Sequence, residues 1–141
     1  MENFLFRKIA FIVFTLLVTG MMLLGHSLVN AETVGVKVAE KEGIGKYLTD
    51  GNGMTLYTFA NDAAGVSNCA GDCLVKWPAF YVDPTAVVEG CEEGDFGYLK
   101  REDGGEQTTY KGMPLYYFYK DINPSDTNGQ GAGGVWYVAT P

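Results

Sequence analysis

Three cysteines are the residues of this sequence whose spacing first suggests chemistry. Cys69 and Cys73 are four residues apart, a spacing that reaches disulfide-bonding distance in a helical or tight-turn geometry. Such a disulfide is either a redox pair or, as we favour, a structural clasp on the loop that leads to Trp77. Cys91 is the candidate for an unpaired thiol, although it could also form an intermolecular link or be the true partner of one of the other two.

Ligands for a metal or a haem are scarce in this sequence. The single histidine, His26, falls within the first 31 residues, which have the features of a secretory signal peptide. Once that segment is removed no histidine remains, so a Cys-x-x-Cys-His haem motif is excluded, and three scattered cysteines are a poor case for a zinc site of three or four Cys/His ligands. Asp126 and Ala132 stand where a calcium loop that starts at Asp121 would need Gly and Glu. We therefore expect no cofactor and no metal.

Two aspartates, Asp62 and Asp121, occupy equivalent places at the ends of two similar segments. A pair of carboxylates could act as acid and base in a glycosidase. The repetition of one residue in each half more often reflects a repeated structural role, such as capping a turn. We expect no enzymatic activity and no catalytic residue.

Aromatic residues are the most unusual feature of the sequence, with four in a row from Tyr116 to Tyr119. Large rings could build the core of a small protein. They could also form an exposed aromatic face for carbohydrate, haem or a protein partner, because four consecutive strand residues cannot all point to one side. The binding candidates are Tyr57, Asp62, Trp77, Tyr116, Tyr117, Tyr119, Asp121 and Trp136.

These residues belong to two copies of one unit. The segments 53–62 and 112–121 share six of ten residues at an offset of 59, and the same offset relates Trp77 to Trp136 and Thr49 to Thr108. Each copy has the pattern of a strand, a tight turn and a second strand, with Asp50-Gly51-Asn52-Gly53 as the clearest turn. Two copies are too few for a solenoid.

The predicted fold class is all-β. We expect a small single domain of antiparallel strands built from two pseudo-symmetric repeats, at about 45–80 and 104–139, with a short helical turn near the cysteine pair. Residues 83–97, which contain five acids, form the expected connection between the halves.

The N-terminal segment and the net charge indicate where the protein works. Arg7 and Lys8 precede a run of seventeen uncharged residues, and small residues precede a cleavage point after Ala31. Residues 1–31 are therefore predicted to be a signal peptide and residues 32–141 the domain, although retention as an anchor is the alternative. The domain carries eight Lys/Arg and sixteen Asp/Glu, which argues against binding nucleic acid. No later segment is apolar enough to span a membrane.

The repeated motif also resembles a known family. Leu-Tyr-x-Phe-x-x-Asp occurs at 56–62 and 115–121, and each copy is followed by a tryptophan. This arrangement resembles the secreted-repeat family of predicted lipoproteins that is defined by a Tyr-x-aromatic-x-x-Asp motif. The resemblance covers residues 45–140 and implies a β-rich envelope or secreted protein of unestablished activity. Because no cysteine follows the signal segment, lipid anchoring at that point is not expected.

Two functions remain in view from the sequence. The first is an exported, periplasmic or extracellular, non-catalytic envelope module that binds an envelope protein, a glycan or a small ligand through an aromatic face. The alternative is an accessory protein in envelope redox or electron transfer, which would act through Cys69 and Cys73 or through a bound cofactor.

Overall fold

A computed structural model describes residues 33–141, all of which belong to one compact unit. The signal-peptide prediction for residues 1–31 lies outside the described residues. The strands are β1 (Val34–Lys41), β2 (Gly45–Asp50), β3 (Tyr57–Phe59), β4 (Val87–Glu89), β5 (Phe96–Lys100), β6 (Glu106–Tyr110), β7 (Met113–Pro114) and β8 (Trp136–Val138). The short helix α1 (Asp72–Lys76) and two single turns of 3₁₀ helix, Glu93–Asp95 and Ala132–Gly134, complete the described elements.

The strands form three small sheets, which confirms the all-β prediction and the short helix near the cysteine pair. The sheet orders are β2-β1-β4, β3-β8 and β5-β6-β7. All pairs are antiparallel except β1 with β4, which is parallel. This exception arises because the connection between the halves returns to the free edge of β1 rather than folding back as a hairpin.

Equivalent backbone hydrogen bonds reveal where the two repeats differ in length. The Leu48 N–H donates to the Ala139 carbonyl, and the Thr108 N–H donates to the Phe80 carbonyl in the corresponding place. Since Ala139 follows Phe80 by 59 residues while Thr108 follows Leu48 by 60, the offset changes within each repeat. Thr108 is therefore the structural counterpart of Leu48, and the sequence match of Thr108 with Thr49 is one residue out of register.

The turns after β2 and β6 account for that extra residue. After β2 the chain takes three residues to turn, and the Asp50 carboxylate accepts the N–H groups of Asn52 (2.8 Å) and Met54 (2.9 Å). After β6 it takes two, Lys111 and Gly112, both with positive φ (48° and 83°). Two-residue turns with positive φ at both positions match the twist of an antiparallel hairpin.

The interior consists of two clusters of buried side chains. The first, mostly aliphatic cluster contains Val36, Leu48, Leu56, Phe80, Tyr110, Leu115 and Ala139. The aromatic cluster contains Tyr47, Tyr57, Cys69, Trp77, Tyr116, Trp136 and Val138. The two repeats meet at Tyr57 and Tyr116, whose backbone N–H and carbonyl groups form a reciprocal pair of hydrogen bonds (2.8 and 3.0 Å). A pseudo-twofold axis therefore runs between these two residues. Among the described residues, no helix has the length and apolar character needed to cross a membrane.

Candidate functional site

The repeated Tyr-x-Phe-x-x-Asp motif makes its hydrogen bonds across the pseudo-twofold axis. The Tyr57 hydroxyl donates to the Asp121 carboxylate (Oη–Oδ2 2.6 Å), and the Tyr116 hydroxyl donates to Asp62 (2.7 Å). Each tyrosine thus pairs with the aspartate of the other repeat. We call these four residues the repeat crossing.

The second oxygen of each aspartate is also occupied. Asp62 Oδ1 accepts the Asn68 N–H (2.6 Å), and Asp121 Oδ1 accepts the Asn128 N–H (2.9 Å). The side-chain amides of Asn68 and Asn128 donate in turn to backbone carbonyls. Their acceptors are the residues that directly precede the two aspartates, Asn61 (2.7 Å) and Lys120 (3.2 Å). Both carboxylates therefore close a loop and join the repeats, and within residues 33–141 no buried polar side-chain atom lacks a partner.

Four aromatic rings form a continuous stack next to the repeat crossing. Trp77 and Trp136 lie parallel with ring centroids 3.8 Å apart, Phe118 stacks on Trp77 at 4.2 Å, and Phe59 stacks on Trp136 at 4.3 Å. A Cβ at Gly129 would approach the Trp77 ring to 2.8 Å, so only glycine fits there. The stack obeys the same pseudo-twofold relation and fills the centre of the aromatic cluster.

A third symmetric contact involves two positively charged residues, Lys41 at the end of β1 and Arg101 directly after β5. Arg101 Nη1 donates to the Ser67 hydroxyl (2.7 Å) and to Gln107 Oε1, and Nη2 donates to the Cys69 carbonyl (2.6 Å). At the equivalent position, 60 residues earlier, Lys41 Nζ donates to the Thr127 hydroxyl (3.1 Å). Arg101 is buried, whereas Lys41 is exposed.

Burial dominates the electrostatics of the repeat crossing. It raises the pKa of the carboxyls of Asp62 and Asp121, against the opposing effect of the hydrogen bonds that they accept. Burial also raises the pKa of Tyr116 to about 12 and that of Tyr57 further. The tyrosines therefore remain protonated donors at neutral pH.

The raised carboxyl pKa predicts a pH dependence of stability. When the folded-state pKa exceeds the unfolded value, the stability that the group contributes is complete below the unfolded pKa, about 3.9 for Asp, and is lost as the pH rises through the folded pKa. Asp121→Asn abolishes this titration. We therefore expect the free energy of unfolding of wild type, relative to Asp121→Asn, to fall from about pH 4 upward. Urea unfolding at several pH values measures the difference. Asp72→Asn, which alters an exposed carboxylate, is the control, and a difference that grows with pH would contradict the prediction.

The predicted disulfide between Cys69 and Cys73 is present, with Cys73 in α1. Cys69 is fully buried in the aromatic cluster, which fits a clasp better than a group that must meet a redox partner. Cys91 is unpaired and half-buried, and burial raises the pKa of its thiol, which lowers its reactivity.

Loss of the disulfide should reduce stability measurably. The loop that it closes has five residues, for which the chain-entropy relation gives about 2 kcal/mol. We expect Cys69→Ala/Cys73→Ala to unfold at correspondingly lower urea concentration, and Cys91→Ala to lose clearly less. Equal stability of the double variant and wild type would show that the clasp adds nothing.

The structure separates the predicted binding residues by their exposure. Tyr57, Trp77, Tyr116 and Trp136 are buried, so these rings serve the core. Tyr117 is half-buried, and its hydroxyl donates to Asp50 (2.9 Å). Tyr119 is the exposed ring of the set (48% exposed). Asp62 and Asp121 take part in the repeat crossing, where each carboxylate accepts a hydrogen bond from the tyrosine of the other repeat.

The acidic loop that follows Asp121 satisfies its own backbone. The Asp126 carboxylate accepts the N–H groups of Ile122 (2.9 Å) and Asn123 (2.8 Å). In residues 33–141, no group of three or more His, Cys, Asp or Glu side chains is arranged to hold a metal ion.

Sequence reasoning missed an exposed pair of tyrosines. Tyr81 and Tyr98 are 46% and 43% exposed, and their ring centroids lie 6.0 Å apart with an angle of 61° between the rings. Tyr98 points outward from β5 in alternation with the buried Leu99, which was the available signal. Tyr81 directly follows the buried Phe80 on a segment between the strands, and its pairing with Tyr98 is visible only in three dimensions.

The fold and the repeat crossing define a class: an all-β protein of two repeats that exchange their motif hydrogen bonds. The chain belongs to the family described as "Secreted repeat of unknown function", whose model matches residues 38–80 and 97–140. Both matches begin seven residues before the predicted repeat boundaries and thus include the ends of β1 and β5. No curated protein and no solved structure gave a match to the chain.

Proposed function

We propose that this protein is an exported, non-catalytic envelope module that binds a ligand or partner through the face formed by Tyr81 and Tyr98. The observation that carries the proposal is the exposure of these two neighbouring rings. Exposed aromatic residues grouped on a small domain are typical of binding surfaces, because they supply contact area at low entropic cost.

The use of the repeated motif supports a non-catalytic role. Both carboxylates of the repeat crossing have each oxygen engaged in a hydrogen bond. A general acid or base needs a free carboxyl within reach of a substrate. The paired aspartates that could suggest a glycosidase thus use their carboxylate oxygens for the hydrogen bonds that join the repeats.

Sedimentation with envelope material tests the proposal. Wild type, purified from the exported fraction, is expected to leave the supernatant together with the insoluble envelope of the producing cells. Tyr81→Ser/Tyr98→Ser should remain in the supernatant. Tyr137→Ser is the matched control, since Tyr137 is equally exposed (43%) but lies in another sheet. Equal sedimentation of all three proteins, or release of soluble products by wild type over time, would contradict the proposal.

Electron transfer is the second candidate function. It is favoured by the aromatic stack and by the two tyrosine–aspartate pairs of the adjacent repeat crossing. Tyr57 would lose one electron to an external one-electron oxidant and pass its phenolic proton to Asp121, 2.6 Å away. Flash oxidation followed by electron paramagnetic resonance tests this. A tyrosyl signal that disappears in Tyr57→Phe/Tyr116→Phe, and persists in Tyr137→Phe, would support the candidate. An unchanged signal in both variants would eliminate it.

A further inference from the structure

A groove of about 330 Å³ adjoins the exposed tyrosine pair. Its apolar lining comes from β1, β4, β5 and the segment between Phe80 and β4: Val36, Val82, Val87, Val88 and Phe96. Tyr98 stands at its edge and connects it with Tyr81. The volume lies at the lower end of the range for small-molecule sites, and the lining is of mixed polar and apolar character.

The charged side chains that line the groove are all negative. Asp83 and Glu93 are among the lining residues, and no Lys, Arg or His is. Thr85 donates both its N–H (2.8 Å) and its hydroxyl (2.6 Å) to Asp83 Oδ1, and these bonds lower the pKa of the Asp83 carboxyl. Asp83 is therefore ionised at neutral pH. Its Oδ2 atom accepts no hydrogen bond from the described residues.

A third carboxylate extends this negative character to the second tyrosine. Glu106 lies beside Tyr81. Partial desolvation of the Tyr81 hydroxyl raises its pKa, and the neighbouring Glu106 carboxylate raises it further. The faces of electron-rich rings and neighbouring carboxylates attract the same kind of group, a cation. The two rings are inclined by 61°, so they do not form the flat platform on which a sugar ring would stack.

We infer that this groove binds a small organic cation, an ammonium group carried on an apolar body. The apolar part enters between Val82, Val88 and Phe96, and the ammonium group lies between the Asp83 carboxylate and the Tyr98 ring. The inference rests on the proposed function and specifies the chemistry of its ligand. It assigns the specificity to Asp83 and the attraction to the combined negative field of the lining.

Titration of the exported protein with benzyltrimethylammonium, monitored by nuclear magnetic resonance, tests the inference. We expect saturable shifts at residues of the groove. Benzyl alcohol and benzoate, which carry the same ring without the positive charge, should bind at least ten-fold more weakly. Asp83→Asn should weaken binding of the cation about five-fold, since it removes the charge and keeps an Oδ1 acceptor for Thr85.

The controls separate this inference from the proposed function. Asp72→Asn removes an equally exposed charge outside the groove and should bind the cation like wild type. Unfolding midpoints verify that Asp83→Asn remains folded. Equal binding of the neutral probe, an unaffected Asp83→Asn variant, or no binding of the cation would overturn the inference. If sedimentation with the envelope nevertheless depends on Tyr81 and Tyr98, the proposed function stands and only the ligand class is wrong.

Discussion

Replacing Trp136 by alanine is expected to lower the free energy of unfolding by about 3–5 kcal/mol. Trp136 is buried and stacks on both Trp77 and Phe59, so its removal leaves two ring faces without a neighbour. A loss of this size is a large part of the roughly 5–15 kcal/mol that stabilises a typical domain. Trp77→Ala should have a similar effect, because Trp77 holds the equivalent place in the other repeat.

Urea unfolding followed by circular dichroism measures this loss. Tyr137→Ala is the matched control, since it removes a ring from the same strand but from its exposed side. We expect it to cost less than about 1 kcal/mol. If the Trp136 and Tyr137 variants lost equal stability, the stack could not be the organising feature of the core.

The second large effect is expected from Arg101, by comparison with its counterpart Lys41. Arg101→Ala leaves the Gln107 side-chain oxygen without this donor, and leaves the Cys69 carbonyl with only a long hydrogen bond from the Ser67 hydroxyl (3.4 Å). A buried acceptor without a partner costs roughly 1–3 kcal/mol, so a total of about 3 kcal/mol is expected. Lys41→Ala should cost under about 0.5 kcal/mol, because water replaces an exposed donor readily.

The same unfolding experiment, applied to both variants, checks this difference. The two positions are related by the pseudo-twofold axis and each donates to a hydroxyl of the opposite repeat, so burial is the variable that distinguishes them. A Lys41 variant as destabilised as the Arg101 variant would mean that the symmetry, rather than the burial, sets the energy.

The sequence predicts those features that depend on local pattern. The duplication could be read from the segments 53–62 and 112–121, and the disulfide from the spacing of Cys69 and Cys73. The all-β class follows from turn residues and alternation. In each of these cases the determining residues are either close together in the chain or belong to a segment that occurs twice in it.

The missed features depend on contacts between distant segments. The sequence alone does not decide whether the Tyr57 hydroxyl donates its hydrogen bond to Asp62 or to Asp121, because the two aspartates end two copies of the same motif. The one-residue difference between the turns after β2 and β6 is hidden by the strong match of the segments that follow. Tyr81 and Tyr98 belong to no repeated motif, and only the packing of β5 beside the segment after Phe80 brings them together.

The repeat crossing also bears on how such a chain could arise. Four contacts across the axis are isologous: each half offers the other a tyrosine, an aspartate, a tryptophan face and a cation, and receives the same set in return. Two separate copies of one repeat would meet through that same set, as subunits of a C2 homodimer do. The two repeats thus contact each other as the subunits of a homodimer do, but within one covalent chain. A single repeat produced alone would lack half of its core.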